Sequence, residues 1–301
     1  MHISVIHIAT ARAVAVRYLS CLRLTEILVL QGSPLLGAAF AIPHPGAYHV
    51  RPLALLVAAN LCLVAHIFLL NDWAGVTTDL ADSNRAPSVF MARGVSRKEV
   101  GGLTLLLLAL SLLFSSYLGP ISLGLTLAIA GFGALYSLPR FNWKGRPLLN
   151  SAAHLGGGTL HFLFGYSVGS AIDGRGLATA IYFALTFAAG HLTQELRDHE
   201  ADAKSGIQTN AVTFGQRRTF WASLVLFTLS HALLFHLALR GTVPRSLAAL
   251  VVLYPLHLFW SLKTLRDGLT YASICRLQAR YRLIYALIGL AMVAALFGAR
   301  G

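Results

Sequence analysis

The chain has 301 residues, of which 56% are hydrophobic and only 12% are charged. A soluble globular protein has roughly 45 to 50% apolar and about 25% charged residues, so this composition excludes a water-soluble globule, and it is the reverse of the pattern typical of disordered chains. The formal net charge of +13 requires no nucleic-acid partner, because basic residues concentrate in the cytoplasmic loops of membrane proteins.

Apolar stretches recur along the chain at the length needed to cross a bilayer. A hydrocarbon core about 30 Å thick requires roughly 20 residues in a helix, and backbone groups in lipid must be paired within the protein. The sequence therefore predicts an all-α, polytopic membrane bundle, a single domain over residues 1–301 with nine transmembrane helices. The predicted spans are 24–42, 51–70, 100–118, 120–138, 149–170, 176–194, 219–239, 246–264 and 281–298.

The segments between these spans differ in basic content from one side to the other. Of the 24 Lys and Arg residues, 19 lie in or within two residues of the N-terminal segment and the even-numbered loops, and 5 lie on the opposite side. The positive-inside rule then predicts a cytoplasmic N-terminus and, with nine spans, an external C-terminus. We expect no cleavable signal peptide. The predicted location is a bacterial inner membrane or plasma membrane, as a multi-pass protein.

Acidic residues gather at two places on the predicted cytoplasmic side. The first cluster follows the second span and comprises Asn71, Asp72, Asp79 and Asp82. The second follows the sixth span and comprises Glu195, Asp198, Glu200 and Asp202. If each span continues as a helix, the first cluster covers an arc of about 100°, and most of the second covers about 60°. The sequence therefore predicts two acidic stripes at one membrane face.

Two such stripes need compensation, because like charges at helical spacing repel. Either the carboxylates are solvated, or they hold a cation. Hard oxygen ligands suit Mg²⁺, which is typically held by one or two carboxylates together with a substrate phosphate. The predicted metal ligands are Asn71, Asp72, Asp79, Asp82, Asp198 and Asp202. Facing carboxylate pairs are thus interpreted as a holder for Mg²⁺ and diphosphate.

Basic side chains near the two clusters are candidates for binding that diphosphate. Arg85 and Lys144 are the predicted phosphate contacts, whereas most other basic residues here are interpreted as topology signals. Arg23 stands at the start of the first span, one turn before Glu26. Two roles are open for Arg23: an ion pair with Glu26, or contact with substrate.

At the acidic clusters the sequence resembles the UbiA superfamily of intramembrane prenyltransferases. The family's first signature, NDxxDxxxD, stands here as Asn71, Asp72, Gly75 and Asp79, and its second motif, DxxxD, stands as Asp198 and Asp202. The segment LYSLPRFNWKGRPLLN also resembles the stretch that leads into the family's fifth helix, with Lys144 and Asn150 at the usual places. The resemblance extends over essentially the whole chain.

The resemblance implies Mg²⁺-dependent transfer of a prenyl group from a prenyl diphosphate to an aromatic or other small lipophilic acceptor. It implies catalytic roles for Asp72, Asp79, Asp198 and Asp202. The physical requirements agree with this chemistry. Breaking an allylic C–O bond needs metal ions and basic side chains to stabilise the leaving diphosphate, and the carbocation needs a dry cavity with aromatic faces.

Further candidates lie inside the predicted spans. Asn150, His154 and His161 share one helix face within about 40°, and ionisable residues in a span usually face the bundle interior. Asn150 and His154 are predicted substrate contacts, whereas for His161 a helix–helix hydrogen bond explains the residue equally well. Aromatic side chains that could flank a carbocation include Phe68, Trp73, Tyr136, Phe162 and Tyr166. Gly156, Gly157 and Gly158 are predicted to allow close helix packing.

Two other functions compete with prenyl transfer. A terpene cyclase on the same scaffold would consume a prenyl diphosphate without an acceptor. A transporter could also carry acids in its bundle, but transporters usually place coupling sites near the bilayer midplane, whereas these acids lie at one surface. Nothing in the sequence selects an acceptor or a donor chain length.

Gly75 stands where the first signature normally has its middle aspartate. Asp82, one turn beyond Asp79 on the same predicted face, is a candidate to replace that carboxylate. We predict that Asp82→Asn will abolish Mg²⁺-dependent turnover as severely as Asp79→Asn, measured as pyrophosphate release. Wild-type activity in the Asp82 variant would remove this hypothesis.

Overall fold

The computed structural model describes residues 16–42, 44, 46–81 and 86–298. Asp82 and Arg85 lie outside the described residues. The α-helices, in chain order, are α1 (Leu24–Val29), α2 (Gly32–Ala41), α3 (Val50–Ala81), α4 (Arg97–Ser116), α5 (Pro120–Ser137), α6 (Leu149–Tyr166), α7 (Gly174–Lys204), α8 (Asn210–Phe214), α9 (Gln216–Leu239), α10 (Leu253–Arg266) and α11 (Tyr271–Gly298). Short 3₁₀ segments at Ala47–His49, Ala86–Ser88, Phe90–Arg93, Trp143–Gly145 and Arg245–Val252 complete the described structure. The fold is the predicted all-α bundle.

Eight segments of the described chain are long and apolar enough to cross a membrane. They correspond to eight of the nine predicted spans. The remaining one, 149–170, forms α6, but its two histidines, Asn150 and three consecutive glycines leave it too polar to meet the same criterion. The predicted count of nine is therefore not confirmed. Helix α6 packs against α2, α5 and α7, and these neighbours offset the polarity that would be costly against lipid.

The first predicted span is not one continuous helix. It divides into α1 and α2 around Leu30 and Gln31. Pro34 has no N–H and cannot donate to the Leu30 carbonyl oxygen four residues earlier. A buried amide fills that place, because Asn60 Nδ2 on α3 lies 3.4 Å from the Leu30 oxygen and 3.0 Å from Gln31 Oε1. A carbonyl freed inside a membrane bundle is thus satisfied by a side chain from a neighbouring helix.

Helices α3 and α7 extend well beyond their predicted spans, to Ala81 and Lys204. The described members of each cluster therefore lie on continuous helix, Asn71, Asp72 and Asp79 on α3 and the second cluster on α7. The end of the bundle that carries these clusters is called the acidic face below. Helix α6 begins at the same face, because it follows α5 through the 3₁₀ turn Trp143–Gly145.

Glycines set the distance between α2 and α6. A Cβ added at Gly165 would lie 1.7 Å from the Pro34 carbonyl oxygen, and one at Gly37 would lie 2.2 Å from the Phe162 oxygen. Both neighbours are backbone atoms, so a side chain at either position requires the helices to separate. Small residues commonly allow such close approach in membrane bundles.

The glycine run in α6 has two different roles. A Cβ at Gly156 would contact the Phe132 ring at 2.9 Å, and one at Gly158 would contact the Ala184 Cα at 3.0 Å. Close packing is therefore confirmed at these two positions. At Gly157 nothing lies within 4 Å of the added atom, so this position leaves open space.

We predict that Gly165→Ala will strongly destabilise the protein, because overpacking against backbone costs about 1–3 kcal/mol or more. Thermal unfolding of detergent-purified protein measures the effect. Gly102→Ala is the matched control, since its added Cβ meets nothing within 4 Å and alanine is the better helix former. Equal unfolding temperatures for the two variants would contradict the close contact between α2 and α6.

Candidate active site

The two acidic clusters open onto one cavity of about 1230 Å³ at the acidic face. Asn71, Asp72 and Asp79 of α3 line it on one side, and Asp198 and Asp202 of α7 line it on the other. The structure therefore brings together carboxylates that are more than 100 residues apart in the chain. Further parts of the wall come from α1, α5, α6 and the turn Trp143–Gly145, and from the segments around Phe90 and Thr270.

An arginine pairs with one carboxylate of each cluster. Arg23 forms an ion pair with Asp72 and lies over the Phe68 ring, 5.6 Å from its centroid. The pairing of Arg23 with Glu26, one of its two predicted roles, is therefore wrong. On the other side, Arg197 Nε and Nη2 donate to the two carboxylate oxygens of Asp198 at 2.8 and 2.9 Å. These contacts offset the repulsion within each stripe.

Lys144 lies between the two clusters. The 3₁₀ turn Trp143–Gly145 carries it onto the cavity wall. It interacts electrostatically with Asp72 on α3 and with His191 on α7. The predicted phosphate contact is thus placed where one anion could meet both helices. Arg85, the other predicted phosphate contact, and Asp82, the sixth predicted metal ligand, lie outside the described residues.

Glu195 is the centre of a buried hydrogen-bond network. Its side chain is 3% exposed. Oε1 accepts from Asn150 Nδ2 at 2.6 Å and from Asn210 Nδ2 at 2.9 Å, and it lies 3.0 Å from His191 Nε2, while Oε2 accepts from the Ala211 backbone at 3.2 Å. Donors therefore surround both oxygens. Through these hydrogen bonds, the buried Glu195 carboxylate joins α6, α7 and α8 at the acidic face.

Asn150 and Asn210 are the two side chains that Glu195 holds in place. Asn150 is fully buried, and its Nδ2 also contacts the Lys144 carbonyl oxygen at 3.2 Å. Its predicted contact with substrate remains a prediction. Asn210 accepts from the Leu148 backbone N–H at 2.9 Å, so it also fixes the start of α6. Asn210 was not among the predicted site residues, although a polar Thr209–Asn210 pair at the start of a short helix is a typical helix-start pattern.

Two histidines stack face to face on the cavity wall. The rings of His154 and His191 lie 3.4 Å apart and nearly parallel. Tyr136 approaches the edge of His154 at 5.2 Å, and Phe187 lies 5.4 Å away. His154 Nδ1 donates to the Asn150 carbonyl oxygen at 2.8 Å. These contacts orient an aromatic wall just below the carboxylates.

Of the five aromatic residues predicted as candidates to flank a carbocation, two line the cavity. Phe68 and Tyr136 line the cavity. Trp73 packs beneath the Arg97 guanidinium at 4.5 Å, while Phe162 and Tyr166 are buried in the bundle core at 0% and 2% exposure. These three side chains do not line the cavity, because their faces of α3 and α6 meet neighbouring helices. Phe90, Phe132 and Phe187 line the cavity and were not predicted.

The position of the missing signature aspartate has room for a side chain. A Cβ at Gly75 would meet only Asp79 Oδ2, at an ordinary contact distance of 3.5 Å. The absence of a carboxylate here is thus a property of the sequence and has no steric cause in the described structure.

The donor set fits Mg²⁺ bound together with an anion. Among the described residues, no group of three or more His, Cys, Asp or Glu side chains converges tightly enough to enclose a metal. The carboxylates instead face one another across the cavity with Lys144 between them. Mg²⁺ commonly uses one or two carboxylates and completes its shell with water and substrate phosphate, so oxygen donors spread around an anion-sized space suit it.

Comparisons with known proteins agree with this geometry. A sequence model of the UbiA prenyltransferase family matches residues 32–279. A UbiA homolog from Archaeoglobus fulgidus, solved bound to DMAPP and Mg²⁺, is similar over 94% of this chain and 98% of its own, with a TM-score of 0.73 and 20% identity. At that identity the likeness establishes the fold.

Two relatives by sequence are called lycopene elongase/hydratase. The one from Haloarcula japonica is 29% identical over 199 residues, which is 64% of this chain and 65% of the relative. The one from Haloferax volcanii is 32% identical over 123 residues, 40% of this chain and 37% of the relative. The matched stretch therefore spans less than two thirds of either relative.

We predict that Glu195→Gln will lower the unfolding temperature more than Glu200→Gln. The side-chain amide of a glutamine would place its own N–H donors against the N–H donors that bind the Glu195 carboxylate. Each buried polar group left without a hydrogen-bond partner costs about 1–3 kcal/mol. Glu200 is exposed at the cavity rim and provides the matched control. Thermal unfolding in detergent without ligand measures both, and equal effects would contradict the network role.

Proposed function

Because the chain belongs to the UbiA prenyltransferase family, we propose that it transfers a prenyl group from a prenyl diphosphate to a lipophilic acceptor, with Mg²⁺ as cofactor. The observation that carries the proposal is the shared cavity, in which carboxylates of α3 and α7 face each other above an apolar interior. Asp72, Asp79, Asp198 and Asp202 are the proposed catalytic residues. The acidic face is proposed to face the cytoplasm, where water-soluble donors and Mg²⁺ are found.

The polar end of the cavity binds the diphosphate. Mg²⁺, held with it by Asn71 and the four aspartates, would neutralise charge on the leaving group. Lys144 donates to phosphate oxygens from between the two helices. Arg23 and Arg197 now neutralise Asp72 and Asp198, and each can pass its N–H donors to phosphate once a cation takes over the carboxylate.

The apolar end of the cavity holds the prenyl group and the acceptor. Phe68, Phe132, Tyr136 and Phe187 line it, and their ring faces stabilise positive charge. Apolar walls also exclude water, which would otherwise capture the carbocation. Gly157 adds open space along α6.

The acceptor is proposed to be an unsaturated hydrocarbon. The two relatives by sequence carry lycopene in their names, and the interior wall between Gly157 and Phe187 presents few groups that could bind a charged acceptor. Lycopene is therefore the first acceptor to test.

We predict that the purified protein will release pyrophosphate from dimethylallyl or geranyl diphosphate only with Mg²⁺, and will form a prenylated product with lycopene. Asp79→Asn and Asp198→Asn should each reduce turnover about 100-fold or more, because electrostatic stabilisation of the leaving group is lost. Asp173→Asn is the matched control, since Asp173 caps α7 at the opposite face and asparagine caps equally well.

Three results would contradict parts of this proposal. Pyrophosphate release with hydrocarbon or alcohol products and no use of any acceptor would identify a cyclase. No release from any donor would remove the enzyme assignment. Equal activity in the control and in both aspartate variants would remove the role of the two clusters.

A further inference from the structure

His161 is the exception to the way polarity is distributed in the cavity. On each lining helix the polar side chains lie toward the acidic face, and deeper positions are apolar. The deep apolar positions are Leu30, Val64, Ile67, Ile129, Phe132 and Phe187. His161 lies 11 residues beyond Asn150 on α6, or about 16 Å further along the helix axis. Among the described lining residues, it alone is polar at this depth.

A directed chain of hydrogen bonds holds His161 in place. His161 Nε2 lies 2.6 Å from Asn60 Oδ1, Asn60 Nδ2 donates to Gln31 Oε1 at 3.0 Å, and Gln31 Nε2 donates to the Ile27 carbonyl oxygen at 2.9 Å. A backbone carbonyl only accepts, so the last link sets the direction of the whole chain. Asn60 must then offer its oxygen to the imidazole, and the ring proton lies on Nε2.

This direction leaves His161 Nδ1 with a free lone pair. No described residue forms a hydrogen bond with that nitrogen, and the half-buried ring lines the cavity. Asn60 is fully buried and Gln31 is 7% exposed, so neither amide can turn without losing its partners. A helix–helix hydrogen bond accounts for His161 Nε2. It does not account for Nδ1, a basic nitrogen in an apolar part of the cavity wall.

We propose that His161 is the base that takes the proton released when the prenylated acceptor is completed, and that Asn60 and Gln31 are its positioning residues. The proposal rests on the proposed function. The allylic C–O bond breaks with both electrons passing to the diphosphate, and a C=C bond of the acceptor supplies the electrons of the new C–C bond. The positive charge is then on the acceptor.

The reaction closes when one proton leaves. A C–H bond beside the cationic carbon breaks, its electrons form a C=C bond, and the proton passes to His161 Nδ1. If water captures the cation instead, its lone pair forms a C–O bond and the same nitrogen takes the O–H proton. Asn60 Oδ1 accepts from the imidazolium Nε2–H and supports its charge. The proton passes to water when the product leaves.

The depth of His161 explains why a separate base is needed. A proton beside the donor's reacting carbon is within reach of diphosphate oxygens at the acidic face. After C–C bond formation the charge lies on the acceptor, deeper among apolar side chains. His154 and His191 are nearer the acidic face and are stacked on each other, whereas His161 faces the deep cavity alone.

The test separates diphosphate release from product formation. Purified wild-type, His161→Gln and His161→Ala proteins are incubated with Mg²⁺ and geranyl diphosphate, alone and with lycopene, and pyrophosphate and all prenyl products are quantified. A glutamine amide can still donate to Asn60 Oδ1 and preserve the chain, but it is no base. We expect pyrophosphate release within about 3-fold of wild type, while coupled product falls about 100-fold and geraniol takes its place.

The controls address folding and chemistry. His231→Gln removes another buried histidine, on α9 and outside the cavity lining, and should leave the product ratio unchanged. Added imidazole should restore coupled product in His161→Ala. A wild-type product ratio in His161→Gln, or a change only in the KM for lycopene, would contradict the proposed role of His161 as a base. Absence of pyrophosphate release in wild type would overturn the proposed function itself, which is a different result.

Discussion

Repulsion among carboxylates at the mouth of one cavity is the constraint on which this arrangement depends. Two unit charges 4 Å apart interact by about 4 kcal/mol at an effective dielectric of 20, so clustered carboxylates need nearby cations. Arg23 and Arg197 each neutralise one aspartate, and Lys144 lies between the two sides. The described cavity therefore carries its own counter-ions for Asp72 and Asp198, supplied by side chains of the same bundle.

At Glu195, one helical turn from Asp198, hydrogen-bond donors rather than arginines compensate the carboxylate. There a single carboxylate is surrounded by donors and almost entirely buried. It joins the start of α6 to α7 and α8, and it does so through Asn150 and Asn210. Glu195 and Asp198 both line the cavity, three residues apart, but Glu195 also holds α6 and α8 against α7 through its hydrogen-bond partners.

Hydropathy and helical spacing predicted most of the fold and the meeting of the two acidic clusters. Long apolar stretches allow little but helices in lipid, and carboxylates at helical spacing stay on one face. The break at Leu30 was not predicted, because hydropathy does not record the N–H that Pro34 lacks. The junction at Glu195 was not predicted for a similar reason: its partner Asn210 comes from a later helix, and a single sequence does not show such contacts.

Gly157 has a consequence for how this scaffold can vary. It lies on the cavity wall with nothing near the place of a side chain, while Gly156 and Gly158 beside it are closed by neighbouring helices. A side chain at this one position would therefore take up cavity volume without contacting the carboxylates or the packed helices within 4 Å of its Cβ. The volume of the cavity and the charges at its mouth are thus set by different residues of the same helix bundle.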